Sequence, residues 1–220
     1  VIHTGGRNSG ALATDFQGGY ITVRDIDATT EIPGSPGIYT AGKSIITAYN
    51  SKFLSKGCEA VMVAHSLGHT YLYDCELTGT VALNTHNSMS PEYSYIHMFG
   101  GKLNSTKASI LCAVDGKAVM NLDHVTIGDI ADGNLAFAHS GGRLVANLTE
   151  MDVSGNLDRE EKSYLEVNLK ATTLTGCANT TALVLDAASV WNITGDSRTA
   201  VLSIAPGAVI HADQPVTVTY

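Results

Sequence analysis

The chain is poor in charge, in aromatic residues and in proline. Of its 220 residues, 15 % are Asp, Glu, Lys or Arg, 6 % are aromatic and five are proline, whereas 44 % are hydrophobic. That hydrophobic share is too high for a disordered chain. No apolar run reaches the ~18 residues that a membrane-spanning helix needs, and no segment keeps a 3.6-residue apolar period. The sequence therefore predicts one all-β domain without a membrane span.

Positive charge is also scarce. The net charge is −8 and no basic cluster occurs, which argues against nucleic acid and anionic membranes as partners. The four cysteines form no CxxC pair and no metal-ligand spacing. Cys75 and Cys112 are expected to be small buried residues, and no disulfide, metal site or cofactor is predicted.

One apolar pattern, h-x-h-x-x-h-x-h, recurs along the chain (h is apolar, x is any residue). Nine copies begin at positions 21, 46, 70, 96, 120, 146, 167, 183 and 202, and all but five of their 36 h positions are apolar. Alternation with a period of two predicts a strand with one buried face. The two-residue step in the middle of each copy predicts a bend between two short strands.

The residues at these bends tolerate left-handed backbone, as at Asp25, Asn50, Asp74, Gly100 and His124. Intervals of 16 to 26 residues are too short for βαβ units, which need ~30 residues. The sequence therefore predicts a single-stranded parallel β-helix of nine to ten turns, with each turn stacked on the last at ~4.8 Å. Right-handed coiling is the expected hand for parallel crossovers.

A third strand is predicted upstream of the repeat in five turns, at 11–14, 37–40, 60–63, 110–113 and 135–138. The intervals shorten to 21, 16 and 19 residues at the end, so the coil is expected to narrow, with residues 191–220 as a cap and Trp191 covering that end. The charge-dense segment 156–163 is expected to be a solvated loop. A single domain is predicted for 1–220, beginning in mid-turn. Uncovered strand edges at its ends would allow end-to-end self-association.

The compartment is inferred from glycosylation sequons. The chain begins at Val1 without a leader, as expected of a processed chain or a fragment. Four N-x-[ST] sequons are present and favour a secreted or cell-surface protein. They are at Asn104, Asn147, Asn179 and Asn192.

Several stretches resemble a largely uncharacterised group of secreted β-helix proteins of fungi and bacteria. They are "SGALATDFQGGYITV", "GIYTAGKSIITAYNSKF", "TYLYDCELTG" and "LDAASVWNITGDS". That group is similar to pectate-lyase-type coils and to adhesin passenger domains. The resemblance implies a parallel β-helix. It implies no particular activity, because the shared residues are those that form the coil.

One set of turn residues has the ingredients of acid/base chemistry. Asp15, His65, Asp115 and His139 each lie in or beside a Gly-containing turn, and Ser66 and Ser140 follow the two histidines. If Asp115 and His139 lie on adjacent turns, the carboxylate could orient the imidazole. The alternative is a row of exposed turn residues that hydrogen-bond the backbone.

A second set is a candidate sugar platform. His86 lies in the segment "NTHNSMSPEYSY", and nearby tyrosines offer rings that could stack on pyranose faces. They are Tyr71, Tyr73, Tyr93 and Tyr95. The alternative is that some of these rings point into the wall and the rest keep it soluble.

Two functions follow from these features. The first is a non-enzymatic extracellular protein whose flat walls bind a protein partner, a glycan or another copy, and the lack of a recognisable lyase motif favours it. The second is a polysaccharide-active enzyme, a lyase or glycoside hydrolase, with acid/base groups around Asp115 and His139. Fold alone does not decide between them.

Overall fold

A computed structural model describes residues 1–15, 17–65, 67–86 and 91–220, and these form no helix. None of the described segments could therefore cross a membrane as a helix. The strands are β1 (Ile2–Thr4), β2 (Leu12–Ala13), β3 (Tyr20–Arg24), β4 (Asp27–Thr30), β5 (Ile38–Ala41), β6 (Ile45–Tyr49), β7 (Lys52–Ser55), β8 (Val61–Ala64), β9 (His69–Tyr73), β10 (Glu76–Gly79), β11 (Leu83–His86), β12 (Ser94–Phe99), β13 (Lys102–Ser105), β14 (Leu111–Val114), β15 (Lys117–Asp123), β16 (Thr126–Ile127), β17 (Asn134–His139), β18 (Arg143–Thr149), β19 (Asp152–Ser154), β20 (Asn156–Arg159), β21 (Tyr164–Lys170), β22 (Thr173–Thr175), β23 (Asn179–Leu185), β24 (Val190–Ile193), β25 (Ser197–Ile204), β26 (Val209–Ala212) and β27 (Val218–Thr219).

The strands form parallel sheets that stack as a β-solenoid of about nine turns. Wall A is β1-β4-β7-β10-β13-β16, and wall B is β2-β5-β8-β11-β14-β17-β20. Wall C has ten strands, in the order β3-β6-β9-β12-β15-β18-β21-β23-β25-β27, and wall D is β19-β22-β24-β26. The parallel β-helix expected from the sequence is thereby confirmed.

The first half of every repeat lies in register in wall C. Val23 lies opposite Ala48, Ala48 opposite Leu72, and Leu72 opposite Met98. The same file continues to Ile204. Leu72 and Met98 are fully buried, because alternate side chains point into the shared interior.

The bends between the two strands of a repeat have the expected backbone. Asp25, Asn50, Asp74, Gly100 and His124 all have positive φ, from 44° to 67°. This conformation turns the chain out of one wall and into the next within two residues. The predicted bend positions are confirmed.

The hydroxyl groups at two inward positions that follow bends are hydrogen-bonded. The Ser51 hydroxyl donates to the Tyr49 carbonyl at 2.7 Å and accepts from the Ile26 amide at 3.2 Å. Thr172 repeats this arrangement later in the coil, donating to the Lys170 carbonyl at 3.0 Å. Each hydroxyl thus links one bend to a neighbouring turn, and its burial costs little free energy because it is hydrogen-bonded.

The coil narrows because wall B ends at β20, after which each turn has one strand in wall C and one in wall D. The predicted third strands are present as β2, β5, β8, β14 and β17, and two more, β11 and β20, were not predicted. β20 corrects the interpretation of 156–163 as a loop throughout. Its Leu157 points inward and is 1 % exposed, and the strand pairs with β17, so the first half of that charged segment belongs to the wall.

The last repeats shift by one residue. Leu174 pairs with Trp191, not with Val190 as the pattern predicts, and Trp191 is fully buried. The preceding turn holds one more residue than in other repeats and is closed by Ser189, whose hydroxyl donates to Asp186 at 2.6 Å. Trp191 therefore fills the interior instead of covering the end. The final turn exposes Val201, Ile204, Val209 and Ile210, and end-to-end association stays a prediction.

Candidate functional site

The four predicted acid/base residues do not share one column, that is, one set of positions that pair with each other on successive strands. His139 lies opposite Val114 in the register of β14 and β17, so Asp115 is one position further along. His139 shares its column with His86, which also pairs with Val114. Asp15 follows β2, five strand positions from β17 in wall B, or roughly 24 Å. Asp15 and His139 therefore cannot act on one bond.

The contacts at these turns also differ from the expected pair. Among the described residues, the imidazole within ion-pair reach of the Asp115 carboxylate is that of His86, at 3.6 Å, and not that of His139. His139 Nδ1 lies 3.1 Å from the Ser140 hydroxyl. His65, Asp115 and Ser140 have positive φ of 64°, 47° and 55°, which is typical of tight turns. Ser66 lies outside the described residues.

The outer face of wall C carries a cluster of aromatic and asparagine side chains. Among its five central strands, β9 and β12 each point three alternate side chains outward, and β15, β18 and β21 each point four, most of them half-buried. We call this surface the C face. It consists of His69, Tyr71 and Tyr73 from β9; Tyr95, His97 and Phe99 from β12; Lys117, Val119, Asn121 and Asp123 from β15; Arg143, Val145, Asn147 and Thr149 from β18; and Tyr164, Glu166, Asn168 and Lys170 from β21.

The predicted sugar platform is divided by this geometry. Tyr71, Tyr73 and Tyr95 lie together on the C face, and Tyr93 lies at its margin, next to Lys117. His86 ends β11 in wall B, so it belongs to a different face. The segment 87–90 that follows it lies outside the described residues.

The aromatic rings of the C face stack on one another from turn to turn. Parallel strands in register bring equivalent side chains to the same height on successive turns. The ring faces therefore cover each other, and hydroxyl groups and ring nitrogens at the edges are what the surface offers to a ligand. The stacked pairs and their centroid distances are His69–Tyr95 (4.6 Å), Tyr71–His97 (4.7 Å), Tyr49–Tyr73 (4.8 Å) and Tyr73–Phe99 (5.1 Å).

The column that holds Tyr71 and His97 continues as a ladder of asparagines. Asn168 Nδ2 donates to Asn147 Oδ1 at 2.9 Å, and Asn147 Nδ2 donates to Asn121 Oδ1 at 2.7 Å. Asn121 Nδ2 lies 3.0 Å from His97 Nδ1. Because an amide nitrogen can only donate, His97 Nδ1 must be the acceptor and its proton must be on Nε2. The ladder thus fixes the tautomer of the histidine.

The two histidines of the C face favour the neutral form. Burial lowers the pKa of His69 below 6.5. Burial, together with the nearby His69, lowers the pKa of His97. At neutral pH both rings are therefore uncharged. His97 offers its Nε2–H as a donor, because its Nδ1 already accepts from Asn121, and the ring of His69 has one donor and one acceptor nitrogen.

The four sequon asparagines all lie within strands. Asn104 is 9 % exposed and its amide donates to Thr78 Oγ1 at 3.2 Å. The amide nitrogens of the other three also donate to neighbouring side chains. In the folded chain, attachment of a glycan would require these hydrogen bonds to break.

Two concavities lie on wall B. A polar groove of about 480 Å³ opens where this wall ends, since the shorter turns beyond it leave a step. A more apolar cleft of about 420 Å³ lies near the first turns. The groove is lined among others by Asn156, Asp158, Asn179, Asp196 and Arg198, and the cleft by Ala13, Pro36, Tyr39, Cys58 and Met62.

The cysteines are free thiols, and Cys75 and Cys112 are buried as expected. Burial raises the pKa of the Cys112 thiol to about 12, and burial with the adjacent Glu59 does the same for Cys58. Neither thiol is therefore a nucleophile at neutral pH. Within the described residues, no three side chains of the His, Cys, Asp and Glu types are grouped to hold a metal ion.

Sequence reasoning missed His97, Asn121 and Asn168 as members of the surface. Their signal was present, since each occupies the x position between the first two apolar residues of its repeat. Reading the outward positions at the same register as the inward ones would have aligned them with Tyr71. Comparison of the chain with protein-family models, with curated proteins and with solved structures found no match.

Proposed function

We propose that the protein is a secreted or cell-surface β-solenoid that binds a glycan through the C face and catalyses no reaction. The observation that supports this most is the ladder from Asn168 to His97, whose members present amide and imidazole edges on one flat, half-buried face. Amide, imidazole and phenol groups both donate and accept hydrogen bonds, which suits ligands rich in hydroxyl groups.

The shape of the surface favours a polymer. From Tyr71 to Asn168 the column crosses four strand spacings, or ~19 Å along the coil axis. A side chain with hydrogen-bonding groups occupies every rung of this column, so an extended chain of similar sugar units would meet a polar partner at each step. A small molecule would bury little of its surface on a flat face.

The test separates ring edges from ring stacking. His97→Phe keeps a ring to stack on Tyr71 and removes both nitrogens, and Tyr71→Phe removes one hydroxyl. We expect each variant to weaken binding in a glycan screen, followed by titration calorimetry, by about tenfold per lost hydrogen-bonding group. Tyr39→Phe on wall B is the matched control and should bind as the wild type does. Equal binding by the wild type and the three variants would contradict the proposal that the C face binds the glycan.

A second candidate is a polysaccharide-active enzyme, and the 3.6 Å contact between His86 and Asp115 favours it. A carboxylate beside an imidazole is one arrangement for general acid/base catalysis. The polymers of the same screen should be assayed for new reducing ends and unsaturated products. Turnover that Asp115→Asn or His86→Ala abolishes would replace the binding proposal with the enzymatic one.

A further inference from the structure

Two positive charges lie side by side at the margin of the C face. Lys117 and Arg143 are directly opposite each other in β15 and β18, on strands ~4.8 Å apart. Like charges in that position destabilise a sheet. In a chain of net charge −8 with only 13 Lys and Arg residues, this adjacency calls for a cause.

Wall A shows the opposite arrangement. Its outward column runs Asp27, Lys52, Glu76 and Lys102 on successive strands, so that each charge faces one of opposite sign. Lys52 Nζ lies 3.1 Å from the Glu76 carboxylate. Such alternation stabilises neighbouring strands. The coil can therefore alternate its charges, and it does not do so at Lys117 and Arg143.

Two tyrosines bracket this cation pair. The Arg143 guanidinium lies 4.0 Å from the centre of the Tyr164 ring, and Lys117 Nζ lies 5.7 Å from that of Tyr93. Both contacts are cation–π interactions, which hold the charged groups in place without neutralising them. Lys117 Nζ also donates to the Pro91 carbonyl at 2.6 Å.

Within the described part of the chain, neither cation has a carboxylate within 4.0 Å, and the Arg143 guanidinium has no hydrogen-bond acceptor. The acidic residue in the column beside it is Glu166, which accepts a hydrogen bond from another neighbour on each of its two oxygens. One accepts from the Tyr164 hydroxyl at 2.6 Å and the other from Asn168 Nδ2 at 3.1 Å. Five N–H donors of Arg143 are thus oriented by a ring and available to a ligand.

We propose that Lys117 and Arg143 bind an anionic group, a sulfate ester or a carboxylate, carried by the glycan that lies on the C face. Arginine binds such oxygens through a two-pronged fork, and lysine adds a compact charge. The anion relieves the repulsion between the two cations. This inference rests on the proposed function, because it names the class of glycan that the same surface takes.

The experiment uses one polymer backbone in three forms. Wild-type protein is titrated with dextran, carboxymethyl-dextran and dextran sulfate at two salt concentrations, beside Arg143→Gln, Lys117→Gln and Arg7→Gln. Arg7 lies in an exposed loop outside the C face, so Arg7→Gln removes the same charge elsewhere. We expect at least tenfold tighter binding of one charged form than of dextran, and at least a tenfold loss in Arg143→Gln and Lys117→Gln only.

The outcomes separate the two proposals. A preference for the sulfated or for the carboxylated polymer identifies the source of the anion. Equal losses in Arg7→Gln would mean general charge attraction and would overturn the inference. Equal binding of all three polymers, or binding of dextran alone, would overturn it and leave the proposed function standing. Charged-polymer binding that needs Arg143 but is unchanged in His97→Phe would keep the anion site and overturn the glycan surface. Binding of none of the three polymers would overturn both proposals.

Discussion

Replacing the inward Leu72 by alanine should lower the free energy of unfolding far more than the same replacement of an outward leucine. Leu72 is fully buried in the interior file between Ala48 and Met98. Truncating a buried leucine removes its transfer free energy and leaves a cavity that a packed interior fills only partly, at a cost of 2–5 kcal/mol. Because each turn of a solenoid contacts only its two neighbours, little relaxation is available. We expect the free energy of unfolding to fall by about 3 kcal/mol.

Leu54→Ala is the matched control. Leu54 lies in wall A, points outward and is 39 % exposed, so its truncation should change the free energy of unfolding by no more than ~0.5 kcal/mol. Urea titration followed by far-UV circular dichroism measures both variants. The fluorescence of Trp191, the single tryptophan, reports separately on the narrow end. Equal losses in the two variants would refute the assignment of Leu72 to the interior.

Two further predictions concern the bends and the narrow end. His124 lies between Asp123 at 2.5 Å and Glu150 at 2.8 Å, which raise its pKa above 6.5. The stability gained from its charge is therefore complete below pH 6.5 and is lost as the pH rises through the raised value. His124→Gln should flatten the decline in urea midpoint as the pH rises above 6.5, and an unchanged pH profile would contradict this. Trp191 Nε1 donates to the Gly176 carbonyl at 3.0 Å, so Trp191→Phe should lower the free energy of unfolding by about 2 kcal/mol. A thermal-melting midpoint equal to that of the wild type would show that neither the hydrogen bond nor the volume matters.

Most of the fold could be predicted because inward side chains repeat at one spacing. The pattern from Ile21 onward gave the register of wall C without error, since only one face of each strand can be buried. The bend positions followed from residues that tolerate positive φ. The predicted register was wrong at Trp191, because the bend before it holds one additional residue, which shifts the strand pairing by one position. The prediction of a loop was also wrong at β20, where the buried Leu157 lies in a charged segment.

The candidate site was harder to predict because outward residues carry no shared constraint. The aromatic cluster was expected from Tyr71, Tyr73 and Tyr95, but the stacking of its rings on one another was not. Only the register shows that the ring faces stack on each other. The pairing of Asp115 with His86 depends on a one-residue offset in wall B, which no spacing in the sequence indicates.

The register of wall C is the claim on which the C face and its cation pair depend. Methyl NOE spectroscopy on selectively labelled protein tests it most directly. We expect cross-peaks from the Met98 methyl to the methyl groups of Leu72 and Leu122, and separate cross-peaks between Val119 and Val145 on the outer face. A Met98 methyl that contacts neither leucine, or one that contacts Val119, would contradict it.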